Sequence, residues 1–316
     1  MTHDIVVIGA SAGGVKVLLD LVRELPAELP ASVFVAVHTA PHSTLPDLLA
    51  ARGPLPASYP VHGEKIEPGR VYVAPPDNHL LLRPGHMEVV RGPRENGHRP
   101  AVDALFRSAA TAYGGRVVGV VLSGYQDCGT AGMLSIKARG GLAVVQDPDT
   151  AFAREMPASV IENLAVDHVV HPAELPPLLV HLVSTPAVTG KEPDVAIRRL
   201  EGNAPGASSG LTCPACNGPL TEAQGTFPSF RCHVGHTFSL AALRREQTEA
   251  LERALWAAVR SLEESAALNR RLSTSDAGAL RPRFKEKAEA LANDAQLIRK
   301  ILQGSAPLPP GEATKP

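Results

Sequence analysis

A serine near the start of the chain has the setting of an activated nucleophile. Residues 4–8 (Asp-Ile-Val-Val-Ile) have the composition of a buried strand, and the glycine-rich residues 9–14 (Gly-Ala-Ser-Ala-Gly-Gly) follow with Ser11 among them. A strand, sharp turn and helix in this order place a hydroxyl above the carboxyl edge of a parallel sheet, where the helix N-terminus supplies backbone N–H groups. The pattern therefore indicates nucleophilic chemistry at Ser11.

Two further polar segments follow predicted strands. His38 ends the apolar run of residues 33–38, and residues 123–129 (Ser-Gly-Tyr-Gln-Asp-Cys-Gly) follow the run of residues 116–122. Because the carboxyl ends of parallel strands lie along one edge of the sheet, we expect these segments to meet Ser11. In a Ser/His/acid site the histidine accepts the serine proton and the acid orients the imidazole, so His38 is the candidate general base.

Two other interpretations of these residues remain open. A glycine-rich turn after a first strand also binds nucleotide phosphates, but Ser11 replaces the middle glycine, and His38 and Thr39 stand where an acidic residue would bind the ribose. A histidine that ends a strand is also commonly a hydrogen-bonded structural residue. His79 is one of several histidines that we expect to lie at the surface or in loops.

The elements that must position these residues alternate between strands and helices. This alternation predicts an α/β fold with a doubly wound parallel sheet over the first part of the chain. Strands are expected near residues 4–8, 32–38, 116–122, 142–146 and 168–171, and helices over residues 15–25, 101–112 and 130–139. Residues 59–91 are expected to form a hairpin with a Pro-Gly turn, packed against one edge of the sheet.

Composition narrows the class of protein. The chain has 316 residues, 44% of them hydrophobic, and a formal net charge of -1, so it offers no basic surface for nucleic acid or an anionic membrane. No signal-peptide pattern opens the sequence and no apolar run approaches 18 residues, which argues against direct membrane insertion. We therefore expect a cytoplasmic protein.

Three of the four cysteines form a metal-binding pattern. Cys213 and Cys216 are a C-x2-C pair, fifteen residues separate that pair from Cys232, and His236 lies four positions further on. Soft thiolates and one imidazole make a closed tetrahedral Zn²⁺ site, which leaves no open position for catalysis. We expect structural zinc, with His236 rather than His233 as the fourth ligand, because adjacent residues point apart and Gly235 allows the chain to turn back. Unmetallated cysteines in a loop are the alternative.

The same composition shifts predict the domain boundaries. We expect a catalytic domain over residues 1–183, a linker over 184–210, a zinc-ribbon-like module over 211–239, a helical hairpin over 240–304 and a disordered tail over 305–316. Apolar residues recur every three or four positions in both predicted C-terminal helices, which are therefore amphipathic. Three roles of such a stripe remain alternatives: intramolecular packing, binding of a partner protein, and self-association.

Several ordered motifs over residues 1–183 resemble the catalytic domain of the chemotaxis methylesterases (CheB). They are residues 9–14, the strand that ends in His38, and residues 69–75, 97–106, 122–133 and 156–157. The resemblance implies a serine esterase that hydrolyses glutamate methyl esters on methyl-accepting chemoreceptors or receptor-like helical proteins, with Ser11 as nucleophile and His38 as general base and acid. It also implies deamidation of receptor glutamines, with no cofactor for catalysis.

The extension with Cys-Pro-x-Cys and Phe-Arg-Cys-x-Val-Gly-His also resembles that of some stand-alone relatives of these enzymes. We expect the receiver domain that usually precedes the catalytic domain of these enzymes to be missing. We therefore expect control to come from elsewhere, with the zinc module and its helices as candidates.

The sequence departs from the family at the catalytic acid. The position of that aspartate falls on Cys128, and Asp127 precedes it. A neutral thiol cannot balance an imidazolium, so strict replacement would impair proton transfer. Three alternatives follow: Asp127 reaches His38 from the same turn, the enzyme runs slowly without an acid, or the protein has become a signalling scaffold. Cys128 is also interpretable as a small core residue.

Overall fold

The computed structural model describes residues 2–38, 43–185, 207–223, 227–274 and 280–304. The chain divides into two compact units, Met1–Arg244 and Arg245–Pro316. Most of the expected linker and all of the expected tail lie outside the described residues. The first unit thus includes the segments expected to form the catalytic domain and the zinc module.

A seven-stranded, all-parallel sheet forms the centre of the first unit, with strand order β3-β4-β2-β1-β7-β8-β9. The expected doubly wound α/β fold is confirmed. Its strands are β1 (Ile5–Ala10), β2 (Ser32–Val37), β3 (Ala57–Ser58), β4 (Val71–Val73), β7 (Val117–Val121), β8 (Leu142–Gln146) and β9 (His168–Val170). The strands β1, β2 and β7 are buried along their whole length, so they carry apolar side chains on both faces.

Helices cover both faces of this sheet, and each face has its own hydrophobic core. The helices are α1 (Gly14–Glu24), α2 (Leu45–Arg52), α3 (Val102–Tyr113), α4 (Thr130–Ala138), α5 (Glu155–Asn163) and α6 (Leu175–Ser184). Val7 and Phe34 belong to the core that includes α3, whereas Val6 and Val35 belong to the core that includes α1. Successive side chains of a strand alternate between the two sides, as the strand period requires.

The region of residues 59–91 was only partly predicted. The hairpin forms from β5 (His79–Arg83) and β6 (His86–Val90), with Pro84 and Gly85 at its turn, but it is a separate two-stranded sheet. The strand β4, expected to belong to the hairpin, instead pairs with β2 in the main sheet, and β3 pairs with β4. Strands of two and three residues are too short to show a hydrophobic period.

The cysteine-rich segment forms a four-stranded antiparallel sheet in the order β10-β11-β12-β13. Its strands are β10 (Ala207–Thr212), β11 (Pro219–Ala223), β12 (Ser229–Cys232) and β13 (Thr237–Ser239). The sheet begins at Ala207, inside the segment expected to be linker. We call residues 207–239 the metal module, and it packs around Leu220, Phe230 and Phe238.

Two helices, α7 (Leu240–Thr274) and α8 (Arg281–Gly304), form the expected C-terminal extension. Ala288 and Ala295 are buried within the apolar stripe predicted for α8, whereas Leu251, the first residue of the stripe predicted for α7, is 61% exposed and the buried residues of α7 are Val259 and Ala266. Arg299 of α8 pairs with Glu263 of α7 at 2.6 Å. Self-association through these helices stays a prediction. None of the helices in the described ranges combines the length and apolar composition that crossing a bilayer requires.

Candidate functional site

Ser11 and His38 follow adjacent strands at the middle of the main sheet. The last register pair of β1 and β2 is Ala10 and Val37, and the N–H of His38 donates to the carbonyl of Ala10 at 3.4 Å. Each residue is therefore the first one beyond its strand at the carboxyl edge. Strand β1 has β2 on one side and β7 on the other, so the strand order reverses at β1. In open α/β sheets ligands bind at such a switch point, outside the carboxyl ends of the strands.

The turn that carries Ser11 is tied to the loop after β7. The Ser11 N–H donates to the carbonyl of Ser123 at 2.9 Å, and the Ser123 hydroxyl donates to the carbonyl of Ala12 at 2.7 Å. Gly13 has φ +79°, a left-handed conformation, and a Cβ there would lie 2.9 Å from the Ser123 hydroxyl oxygen. A side chain at Gly13 is therefore excluded both by backbone conformation and by space.

Gly124 lets the loop after β7 approach the serine closely. A Cβ at Gly124 would lie 2.8 Å from the Ser11 Cβ and 2.1 Å from the sulfur of Met156. Two aromatic side chains nearby remain accessible: Tyr125, the next residue, is 51% exposed, and Phe152 is 77% exposed. Phe152 packs its Cβ against Gly13, so the surface beside Ser11 is apolar on this side.

His98 is a site residue to which sequence reasoning assigned no role. Its imidazole stacks on that of His38, with ring centroids 3.6 Å apart and the planes 9° from parallel. Glu95 and His98 exchange backbone hydrogen bonds across a turn in which Asn96 and Gly97 have φ of 52° and 79°. Asn-Gly is the sequence that such a tight turn prefers, and this was the available signal. The turn thus holds the plane of the His38 ring through His98.

Asp103 is a second residue that was missed, and it anchors the loop after β7. Its Oδ1 accepts hydrogen bonds from the N–H groups of Gly129 and Gly132 at 3.0 and 2.7 Å, and its Oδ2 accepts one from the Asn96 amide at 3.0 Å. Burial raises the pKa of this carboxyl to about 6, although the backbone donors oppose the shift. The family-like segment 97–106 contained Asp103, but no spacing rule identified its partners.

Asp103 is expected to make stability depend on pH. Its folded-state pKa of about 6 lies above the usual 3.8, so the native state binds this proton more tightly than the unfolded chain does. The contribution of this group to stability is therefore present below pH 3.8 and is lost as pH rises through about 6. Urea titrations at several pH values from about 4 to 7 measure the free energy of unfolding. Its decrease with rising pH should be smaller in Asp103→Asn than in the wild type. Equal slopes in variant and wild type would contradict the raised pKa.

Asp127 lies in the loop after β7 and contacts the metal module. It is 8% exposed, and its Oδ1 accepts a hydrogen bond of 2.9 Å from the hydroxyl of Ser239. The carbonyl of Asp127 accepts from the N–H of Thr130 in the first turn of α4. The carboxylate of Asp127 is thus bound by the metal module, and its backbone carbonyl by α4.

Cys128 is a buried core residue, 2% exposed, in the cluster that includes Val102 and Met133. Burial and the nearby charge of Asp103 raise the pKa of its thiol well above the usual value, while the N–H groups of Asp103 and Val102 lower it. The thiol is therefore neutral at physiological pH. A neutral thiol cannot balance an imidazolium.

Two buried or half-buried side chains brace the loops near the site. Arg99 binds Asp77 at 2.6 Å and the carbonyl of Gly92 at 2.7 Å with a side chain only 14% exposed. His79 is buried, against the expectation of a surface or loop position. Its ring binds the carbonyl of Pro93 and the N–H of Ala101, which sequence spacing could not reveal.

The three predicted cysteine ligands and the predicted histidine come together at one end of the metal module. The candidate ligand atoms of Cys213, Cys216, Cys232 and His236 all lie within 4.8 Å of one another. The Cys232 sulfur lies 3.5 Å from the Cys216 sulfur and 3.4 Å from the His236 Nδ1. Tetrahedral Zn–S and Zn–N bonds give ligand separations of about 3.5 to 3.8 Å, so this donor set fits a metal ion. The ring of His233 instead lies against Gly218.

Comparisons with known proteins find matches to the first part of the chain. The family model described as CheB methylesterase matches residues 6–179, more than half of the chain. The crystal structure of the Thermotoga maritima CheB methylesterase catalytic domain matches with a TM-score of 0.56 and 33% identity, covering 58% of this chain and all of that one. Residues 6–179 contain the main sheet except Ile5, and the helices α1 to α5.

Curated relatives carry the names of enzymes. A Geobacter metallireducens protein named protein-glutamate methylesterase/protein-glutamine glutaminase 1 is 38% identical over 180 residues, which are 55% of this chain and 50% of that protein. A Leptospira interrogans protein named putative protein-glutamate methylesterase/protein-glutamine glutaminase is 35% identical over 58% of this chain and 96% of that protein. This chain thus spans about half of the first relative and nearly all of the second. The names do not favour the scaffold interpretation.

Proposed function

Because this chain belongs to the CheB methylesterase family, we propose that it hydrolyses glutamate methyl esters on a chemoreceptor-like helical protein and deamidates glutamine side chains there. The observation that carries the proposal is the position of Ser11 and His38, each one residue beyond adjacent central strands of the parallel sheet. Acyl transfer needs a nucleophile and a base at such mutual proximity. The exposed aromatic side chains of Tyr125 and Phe152 offer apolar surface for the substrate helix.

The reaction proceeds through an acyl-enzyme. Ser11 Oγ attacks the ester carbonyl while His38 accepts its proton, and the tetrahedral intermediate then expels methanol, which takes the proton from the imidazolium. Water next gives a proton to His38 and attacks the acyl carbon. The second tetrahedral intermediate expels the Ser11 Oγ, which takes that proton back from the imidazolium, and the product acid ionises to the glutamate carboxylate. A glutamine side chain follows the same course and releases ammonia. No step requires a metal ion.

Backbone donors in the serine turn stabilise the oxyanion. The N–H of Gly14 donates to the carbonyl of Ser11 at 3.0 Å and so serves the turn itself. We assign the oxyanion to the N–H groups of Ala12 and Gly13, at the N-terminus of α1, where the helix dipole favours negative charge. Each such donor is worth about 2.7 to 4 kcal/mol of transition-state stabilisation in comparable sites.

Asp127 is the proposed acid. It is a buried carboxylate in the loop that also supplies Ser123 and Gly124 to the serine turn, and the neighbouring Cys128 is neutral. In this role Asp127 orients the His38 imidazole and stabilises the imidazolium. His98 completes the set by stacking on His38 from the other loop.

The metal module is proposed to hold structural Zn²⁺ through Cys213, Cys216, Cys232 and His236. Three thiolates and an imidazole saturate a tetrahedral ion and exclude a substrate position, so the metal stabilises the fold of the module. Thiolate ligands require a reducing compartment, and this supports the cytoplasm as the place of action.

Cys232→Ser is expected to abolish metal binding and unfold the module. The purified wild-type protein should contain zinc at about one equivalent, whereas the variant should contain a small fraction of that, as measured by elemental analysis. Cys128→Ser is the matched control because Cys128 lies outside the cluster, and it should retain the metal. Metal retained at full occupancy in Cys232→Ser would contradict the assigned ligand set.

Experimentally, the proposed function is tested by time-resolved release of methanol from the methylated cytoplasmic domain of a chemoreceptor. A rate that depends on enzyme concentration and on Ser11 supports it. A wild-type protein that binds this substrate but releases no methanol overturns it in favour of a binding protein.

A further inference from the structure

The last strand of the metal module lies directly against the loop that carries His98. The N–H of Asn96 donates to the carbonyl of Thr237 at 2.8 Å, and the N–H of Thr237 donates to the carbonyl of Arg94 at 3.4 Å. Glu95 and Thr237 form a parallel β-bridge. Thr237 follows the candidate ligand His236 in the chain, so the ligand cluster and this docking strand are covalently adjacent.

Ser239, at the end of the same strand, directs its proton at Asp127. Its Oγ accepts a hydrogen bond from the N–H of Ala242 at 3.0 Å, which caps the first turn of the helix beginning at Leu240. Because the Oγ acts as an acceptor in the cap, its single proton is available to donate to the Asp127 carboxylate, which lies 2.9 Å away. Both side chains are buried, with exposures of 3% and 8%.

A second arm runs from Ser239 through Asn96. The N–H of Ser239 donates to the Asn96 Oδ1 at 2.8 Å, and the Asn96 amide nitrogen donates to Asp103. Asp103 in turn accepts from the N–H groups of Gly129 and Gly132. The loop that carries Asp127 is therefore held on one side by the Ser239 hydroxyl and on the other by the Asn96–Asp103 pair.

From these contacts we infer that Ser239 is a positioning residue for the catalytic acid, and that the metal module acts on hydrolysis by holding Ser239 and Asn96 in place. The inference rests on the proposed function where it treats Asp127 as the acid. A hydrogen bond to a buried carboxylate restricts its rotation and favours its charged form. The metal contributes by fixing the β12–β13 turn, and it takes no part in the chemistry.

The test compares Ser239→Gly with Ser239→Thr in the full-length, metal-loaded protein. Glycine deletes the Ser239 Oγ and so removes both the contact with Asp127 and the acceptor of the Ala242 N–H. Because glycine remains a good N-cap residue, the start of the helix is preserved and the main loss is the contact with Asp127. Threonine keeps both hydrogen bonds and is the matched control. We expect Ser239→Gly to lower kcat for methanol release about tenfold with KM unchanged, because a hydrogen bond to a charged group is lost. Ser239→Thr should retain wild-type kcat.

Amide hydrogen exchange supplies a readout that needs no activity. In Ser239→Gly, exchange of the Gly129 and Gly132 amides should accelerate about tenfold, while that of the central strands stays as in the wild type. Removing the metal from the wild type with a zinc chelator should accelerate the same two amides. The acceleration of exchange caused by the chelator and by Ser239→Gly together should be smaller than the sum of the two separate effects, because both treatments break the same chain of contacts.

Wild-type exchange at Gly129 and Gly132 after both treatments would overturn the inference, whatever the enzyme's activity. If Ser239→Gly does not fold, the chelator experiment on the wild type still decides between these outcomes. A wild type that releases no methanol defeats the proposed function, while the exchange measurements still test the coupling separately.

Discussion

Replacing Ser11 with alanine is expected to abolish methanol release, with a loss in kcat of about 10⁶-fold, as when the serine of a comparable Ser/His/acid hydrolase is removed. Without the hydroxyl no acyl-enzyme forms, and the remaining site can only stabilise the attack of water. The measurement is single-turnover release of methanol from the methylated receptor domain. Burst kinetics of acyl-enzyme formation, if seen in the wild type, should disappear as well.

The matched control for this prediction is Ser184→Ala, which removes an exposed hydroxyl at the end of α6. It should release methanol at the wild-type rate. Binding of the receptor domain to Ser11→Ala should remain within a few-fold of wild type, since the substituted group is small. Methanol release by Ser11→Ala at a rate near that of the wild type would refute Ser11 as the nucleophile.

Replacing Asp127 with asparagine is expected to lower kcat about 10⁴-fold, the loss seen when the acid of a well-studied triad becomes an amide. An amide neither balances the imidazolium nor fixes the required tautomer of His38. The effect should appear in kcat and in kcat/KM alike, because it concerns the transition state. Elemental analysis of the zinc content must accompany the rate, since Asp127 also contacts the metal module.

Substitutions at Cys128 separate this assignment from its competitors. Cys128→Ala should change kcat only slightly, because a neutral buried thiol supplies no charge. In the Asp127→Asn background, Cys128→Asp should restore part of the rate, since position 128 lies beside the N–H groups of Asp103 and Val102 at the start of α3. A large loss in Cys128→Ala combined with full activity of Asp127→Asn would reverse the assignment.

Elements with long hydrophobic patterns could be predicted from the sequence, whereas elements with short ones could not. The long buried runs of β1, β2 and β7 and the C-terminal helices were found because several residues repeat a period. The strands β3 and β4 have only two and three residues, and their place at the sheet edge depends on pairing with β2. Pairing partners that lie far apart in the chain leave no local signal.

The candidate site divides in the same manner. The ligand set of the metal module could be proposed from spacing, because a tetrahedral ion needs four soft donors within a short segment. Ser11 and His38 could be proposed because each ends a recognisable strand. The stacking of His98 on His38 could not, since it requires a turn at residues 95–98 to meet a strand end sixty positions earlier.

The central strands of the sheet and the residue types available for catalysis and metal binding could be predicted from the sequence, because hydrophobic period, turn chemistry and ligand spacing are local properties. The family could be proposed because several ordered motifs resemble it. The tertiary structure alone decided what touches Asp127. Ser239 lies 112 positions from Asp127 and 143 positions from Asn96, yet it hydrogen-bonds to both. Buried polar groups must find partners wherever the packed chain brings them, and the nearest partner in space need not be near in sequence.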